Sequence, residues 1–584
     1  MKILTRILAI ACFITFATSC DEQLDVFPKD KLYADAYFKT ENEIRLYSNN
    51  FYINLLPSAS SIYGEGADVV VLATLEDEIS GQRTIPASGG GWSFSALRDI
   101  NFYLENSKKV ENENVRLRYD GLAKFFRAYF YFEKVKRFGD VPWYNKVLGS
   151  ADADLYKPRD SRQLVMDSVI NDLNFAIEHL PVEKKLYHVT KWTALALKSR
   201  IGLFEGTFRK YHGIEGYEKF LDYAIEASQE LMATSGYAVF KTGNKPYMDL
   251  FASLDASSTE IILARDYDAT LSLFHNVQNY QNTSSMGKPG LAKSIVNTYL
   301  MADGSRFTDI PGYETMPFHQ ECANRDPRLA QTIRTPGYTR KGSTTLVAPN
   351  LASTMTGYHL TKYSMETVYD DYNKSCNDMP IFRFGEVLLN FAEAKAERGT
   401  LTQTDLDNSI NLLRKRVNMP NLVLAEANAN PDPYLTNVET GYPNVSGTNT
   451  GVILEIRRER TIELIAEGHR YYDIIRWKNG KRFEKPMLGI YIPGPGNYDL
   501  DKNGRLDVCF YEGDKPVAFV PLFLKIGQDV TLSEGNKGYI LCHSLNQRVW
   551  DENKDYFYPI PIKDRSLTEG TVSQNPGWND GLNF

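Results

Sequence analysis

Three glutamates at helical spacing constrain this chain more than any other feature. Glu459, Glu463 and Glu467 lie in ERTIELIAEGHRYYDIIRW, residues 459–477, which has no Pro and one Gly, Gly468. That composition predicts one long helix. Ile462, Ile465, Ala466 and Tyr472 form one apolar stripe, and Leu464, Tyr471 and Ile475 a second. A helix apolar on two sides is buried on two sides. The glutamates stack between the stripes at i,i+4 steps, where like charges repel. Out of water, each is costly unless a cation pairs with it. Arg470 and Arg476 follow on the same segment, and Arg383, Arg414 and Arg416 precede it. Two readings fit: a core ion-pair network that fixes the helix register, or a catalytic carboxylate cluster. Structural networks are the commoner home of paired acids, which favours the first.

A buried helix needs neighbours, and the chain offers them in pairs. Helical candidates fall at 41–55, 113–138, 162–180, 190–210 and 217–235. Residues 191–236 read as a helix hairpin, with Ala194, Leu197 and Ile201 along its stripe. Residues 382–420 read as another: FRFGEVLLNFAEAKAERG ends at Gly399, then LDNSINLLRKRV stops at Pro420. Such units resemble tetratricopeptide hairpins, although the spacing is not a clean repeat. One unit cannot bury its own face, so several must stack. The expected fold is therefore mostly α: a tetratricopeptide-like helical-repeat scaffold, mainly 40–235 and 382–480. Large irregular loop regions with minor β insertions fill 236–381 and 481–584, rich in Asn, Ser, Thr, Gly and Tyr. Loop of this extent, held on a rigid scaffold, usually carries function.

Residues 1–19 read as a signal peptide, with Lys2 and Arg6 before an apolar run, Ile7 to Phe16. Ala17, Thr18, Ser19 and Cys20 form a lipoprotein cleavage box in which Ala17 replaces the usual Leu. Cys20 would then become the first residue and carry acyl chains. No later stretch is apolar for long enough to span a bilayer as a helix. The net charge of −7 and the lack of a basic run argue against nucleic acid. After Cys20 come Cys322, Cys376, Cys509 and Cys542, with no C-x-x-C pair; disulfides and buried thiols both remain open. H-E-x-x-H, Walker, dinucleotide and G-x-S-x-G motifs are absent.

The 459–477 stretch resembles the signature of the SusD/RagB family through E-R-x-x-E-L-x-x-E-G-x-R-x-x-D-x-x-R-W: Glu459, Arg460, Glu463, Leu464, Glu467, Gly468, Arg470, Asp473, Arg476 and Trp477. RAYFYFEKVKRFGDVPW, residues 127–143, is similar to another block of that family. Leu24, Asp25, Pro28 and Phe38 resemble its opening, and Pro559, Ile560, Pro561, Gln574, Asn575, Pro576 and Gly577 its close. The resemblance spans nearly all of residues 20–584. It implies a non-catalytic lipoprotein anchored in the outer membrane and facing outward. Such a protein binds an oligosaccharide and delivers it to a SusC-type TonB-dependent transporter, with no cofactor required. Alternatives are peptide capture of the RagB kind, a surface glycoside hydrolase and a periplasmic repeat scaffold.

Sugars bind by stacking C–H faces on aromatic rings while polar side chains take their hydroxyls. Candidate ligand residues in loop contexts are Trp92, beside Gly89-Gly90-Gly91, and Asn101, Tyr280, Asn282 and Tyr313. Each competes with a purely structural reading. DLDKNGRLD, residues 499–507, matches most of a calcium loop. Asp499, Asp501 and Asn503 take positions 1, 3 and 5, Gly504 makes the turn, Arg505 offers a carbonyl, and Asp507 follows. The acid expected at position 12 is replaced by Phe510. The competing reading is an Asn-Gly hairpin turn with solvated aspartates.

Overall fold

The computed structural model describes residues 37–584; the leader, Cys20 and the opening at 24–28 lie outside the described residues. Helix outweighs strand by 42% to 9%, and small sheets are confined to short insertions. The scaffold begins with α1 (Glu41–Leu55), fixed by a capping box: Glu43 N–H donates to Thr40 Oγ1 at 3.3 Å, and Thr40 N–H to Glu43 Oε2 at 3.0 Å. Then come α2 (Ser95–Asn106) and α3 (Glu113–Phe138). The aromatic run of α3, Phe125 to Phe132, is buried throughout. Next are α4 (Arg162–His179), α5 (Lys191–His212) and α6 (Tyr217–Thr234). Helix α5 crosses α6 at Gly202 and Gly206, where an added Cβ would meet α6 backbone. Ser199 and Ser228 share a buried hydrogen bond of 2.7 Å across that crossing.

The hairpin expected at 382–420 departs from its prediction at both ends. Its first residues form a strand: β1 (Ile261–Arg265) pairs antiparallel with β2 (Met379–Arg383), and only then does α7 (Phe384–Arg398) begin. Its second helix is split into a turn at Gln403–Asp407 and α8 (Ile410–Arg416). Ser409 breaks it, with ψ near −95° and its hydroxyl donating to Asp405 O at 2.5 Å. Serine competes with the helix for its own backbone in this way.

The single helix expected over 459–477 is also two. Helix α9 (Thr450–Glu463) starts earlier, a turn follows, and α10 (Arg470–Arg476) completes the segment. Ala466 and Gly468 adopt φ of 56° and 77° in the turn. Carbonyls released there are taken by buried side chains. Tyr247 OH donates to Glu463 O at 2.7 Å, Lys362 Nζ to Ile465 O at 2.8 Å and Tyr363 OH to Ala466 O at 2.9 Å. A non-glycine left-handed residue persists only where its surroundings hold it.

The irregular regions carry small sheets. Strand β3 (Met487–Ile492) pairs antiparallel with β7 (Gly538–Cys542). Between them, β4 (Gly496–Tyr498), β5 (Val508–Tyr511) and β6 (Phe523–Lys525) form a sheet in which β5 and β6 run parallel. The closing strap, residues 556–578, contains a short helix, Ile562–Leu567, although prolines at this density favour extended chain. Pro559 and Pro561 precede that helix, where a missing N–H costs nothing, and Pro576 follows it. The strap folds back on the end of α3: Asn575 Nδ2 donates to Phe138 O at 3.0 Å, and Tyr558 N–H to Arg137 O at 2.8 Å. Cys322, Cys376, Cys509 and Cys542 are free thiols.

Candidate ligand-binding cavity

The glutamate triad bolts the irregular region to the scaffold. Glu459 accepts from Arg328 at 2.8 Å and Arg414 at 2.7 Å. Glu463 accepts from Arg416 at 2.6 Å and Arg383 at 3.0 Å, and Glu467 from Arg383 and Lys362, each at 2.6 Å. Burial pushes these carboxyls up, but the guanidiniums prevail. Arg328 and Arg414 hold Glu459 down at about 2, and Glu463 and Glu467 also lie below the usual range. Arg470 and Arg476 do not serve the triad. Arg470 pairs with Asp68 at 2.6 Å, and Arg476 with Glu393 at 2.5 Å and Asp473 at 2.8 Å. The break between α9 and α10 turns them away. Arg328 and Lys362 take their place from the irregular region, 131 and 105 residues from their partners, a separation that no local pattern reveals.

Beside this junction, segments of the irregular region enclose a cavity of about 250 Å³. Three half-buried tyrosines face it, each set by its local backbone. Tyr313 opens a single 3₁₀ turn after Gly312, whose φ of 78° suits glycine. Tyr434 opens with Pro433 a short helix capped by Asp432, which accepts Tyr434 N–H at 2.8 Å. Tyr539 sits on β7 opposite Tyr491 of β3, their rings edge to face at 5.7 Å. Tyr539 OH donates to Glu314 O at 2.6 Å, and Tyr434 OH to Ser294 O at 3.2 Å. Burial pushes the Tyr434 hydroxyl up to about 12, so it stays neutral.

Polar groups complete the wall. Lys293 pairs with Glu321 at 2.5 Å, and Lys485 with Glu439 at 2.8 Å. Arg482 joins Arg470 on Asp68 and donates to Thr440 O at 2.8 Å. Among the described residues Arg548 donates only to carbonyls, Phe483 O at 2.9 Å and Lys485 O at 2.6 Å. Asn297 is 8% exposed; its Nδ2 donates to Tyr434 OH at 3.3 Å, and its Oδ1 has no protein partner. A buried acceptor without a partner is rare and asks for a donor. Tyrosine rings beside charged and amide side chains suit a polyhydroxylated ligand.

Comparison with known families decides the lineage of this architecture. Residues 259–578 match the profile described as the SusD family, a span that runs from β1 to the closing strap. The chain belongs to the SusD family. A second SusD-like profile, described as starch-binding associating with outer membrane, matches residues 92–203. SusD-like protein P38 of Formosa agariphila is 22% identical over 510 residues, which cover 81% of this chain and 91% of that protein. SusD-like protein P2 of the same organism is 25% identical over 526 residues, covering 85% and 95%. Among solved structures, a SusD-like protein of Bacteroides fragilis superposes with a TM-score of 0.67 at 22% identity, covering 94% of this chain and all of that one. A SusD-like carbohydrate binding protein of the same species gives 0.67 at 21%, covering 91% and 98%.

In this SusD-family chain the five residues singled out from sequence do not converge. Tyr313 lines the cavity. Trp92 is core, 9% exposed and edge-on to Phe138 at 4.9 Å. Asn101 holds the segment after α3, donating to Tyr144 O at 3.0 Å and accepting from Arg127 at 3.2 Å. Tyr280 packs on Tyr63 at 5.2 Å. Asn282 is spent on Arg334, Ser364 and Asp370 at 3.0–3.1 Å. Tyr434, Tyr539, Asn297 and Arg548 escaped the sequence reading. Tyr539 alone carried a local signal, the alternation of strand β7.

The acidic loop is the turn between β4 and β5, without flanking helices. Carboxylate oxygens of Asp499, Asp501 and Asp507 lie within 4.8 Å of one another. Backbone N–H groups already occupy part of the set: Gly504 and Asn503 donate to Asp499 at 2.8 and 3.1 Å, and Leu500 to Asp507 at 2.7 Å. Asn503 Nδ2 donates to Asp501 at 3.0 Å, while its Oδ1 accepts Arg505 N–H at 2.8 Å. Burial first, then neighbouring aspartates, raise the carboxyls of Asp501 and Asp507.

Proposed function

We propose that this SusD-family protein is a non-catalytic, lipid-anchored protein of the outer-membrane surface. It holds an oligosaccharide in the three-tyrosine cavity and hands it to a SusC-type TonB-dependent transporter. The observation that carries this reading is the cavity itself: three tyrosines lining one polar cavity, in the SusD fold. Two further facts support it. The matching profile over 92–203 is described as starch-binding associating with outer membrane, and one structural neighbour is named a carbohydrate binding protein. Acyl chains on Cys20 supply the anchor, at about 0.8 kcal/mol per buried CH₂. A glycosidase acid needs a carboxyl that keeps its proton. Asp68, the buried carboxyl of the cavity, goes the other way: burial pushes it up, but Arg470 and Arg482 hold it far below the usual range.

Calorimetry against oligosaccharides, with peptides in parallel, tests the reading. Tyr313→Ala weakens glycan binding about tenfold, equivalent to about 1.4 kcal/mol. Intact cells carrying the wild-type chain retain labelled glycan, and cells carrying Cys20→Ala do not. Binding of peptides alone, or cleavage of the bound glycan, replaces this reading with one of its rivals.

We also propose that the β4–β5 loop takes a structural calcium ion on Asp499, Asp501 and Asp507, since a divalent cation relieves their mutual repulsion. Adding calcium to chelator-treated protein should raise the melting temperature, and Asp501→Ala should abolish that response. An unchanged melting temperature in the wild-type chain would refute the proposal.

A further inference from the structure

We infer that the cavity is built for an acidic glycan, one whose sugar unit presents a carboxylate or a sulfate ester. The inference rests on the cavity being the ligand site proposed above. It comes from how the cations of the wall are satisfied. Lys293 and Lys485 each have a carboxylate of their own, Glu321 and Glu439. The guanidiniums do not. Asp68 serves both Arg482 of the wall and Arg470, which does not line the cavity, so one negative charge faces two positive ones. Every other acceptor of that pair is neutral: Tyr442 OH at 3.1 Å and Thr461 Oγ1 at 2.9 Å for Arg470, and the carbonyls of Thr440 and Gly441 for Arg482. Arg548 forms no ion pair among the described residues; its two terminal nitrogens rest on the carbonyls of Phe483 and Lys485.

These carbonyls fix the guanidinium plane without neutralising it. Arg548 is half-buried, and loss of hydration lowers its pKa, the direction expected of a cation short of an anion. The opposing charge on the rim is Glu314, which is exposed and therefore screened by water. A planar guanidinium matches the paired oxygens of a carboxylate or a sulfate. A neutral glycan can stack on the tyrosines but leaves the cationic surplus of Arg482 and Arg548 unanswered.

Calorimetry on the full chain with three tetrasaccharides separates the cases: tetragalacturonate, a sulfated carrageenan fragment and cellotetraose. At least one acidic probe should bind tenfold or more tightly than cellotetraose, and which one identifies the anionic group. Arg548→Gln should remove that margin, whereas Tyr313→Ala should weaken the acidic and neutral probes alike. If cellotetraose binds as well as both acidic probes, or if Arg548→Gln leaves the margin intact, the inference falls. If cellotetraose alone binds and Tyr313→Ala abolishes it, the cavity stands as the ligand site and only the acidic class is wrong. If none of the three binds, both readings fall.

Discussion

Glu463→Ala should lower the free energy of unfolding by about 3–5 kcal/mol, the range for breaking a buried ion pair from one side. Glu463 is fully buried and accepts from Arg416, Arg383 and Arg328. Without it, Arg416 keeps only Glu260, at 3.6 Å, among the described residues, where two of its nitrogens already lack a hydrogen-bond partner. The urea midpoint at pH 7 measures the loss, and a change below about 1 kcal/mol would contradict the network's role. The same network sets the acid response. Glu459, Glu463 and Glu467 have folded pKa values below the unfolded carboxylate value. Their stabilisation is therefore full above that unfolded value, near 4.5, and is lost as the pH falls towards about 2. The wild-type urea midpoint should drop steeply across that window, and Glu463→Ala should show a shallower fall.

Gly202→Ala should cost about 3 kcal/mol, although alanine alone favours a helix over glycine by about 1 kcal/mol. The added Cβ would lie 2.6 Å from Ala224 N and 2.7 Å from Phe220 O. These are backbone atoms of α6, so no side chain can swing aside and the helices must part. Gly149→Ala, where nothing lies within 4 Å, is the control and should change stability little. A neutral Gly202→Ala would show that the α5–α6 crossing adjusts more freely than close packing allows.

The helical half of the fold was legible because its signals are local. The helical candidates at 41–55 and 113–138 match the bounds of α1 and α3. The failures occur where long-range contacts overrule local preference. Nothing within 459–477 shows that Tyr247, Lys362 and Tyr363 wait to take the carbonyls of a broken helix. Arg383 reads as helical, yet it pairs in register with Ile261 of a strand 122 residues earlier, and its side chain reaches Glu260. The cavity was harder still. Its wall gathers Asp68, Lys293, Tyr434 and Arg548 from segments spread over most of the chain. Trp92, conspicuous beside its glycine run, packs in the core instead, while Tyr313 does line the cavity.

The closing strap bears on how such a chain comes into being. Asn575 completes a corner begun at Phe138, 437 residues earlier. At ordinary rates of translation, roughly 20–90 s separate the emergence of those two residues from the ribosome. Throughout that interval the carboxyl end of α3 has no lid, and a nascent chain halted short of Asn575 never acquires one. That corner therefore closes only after residue 575 has been made, long after the helix it covers.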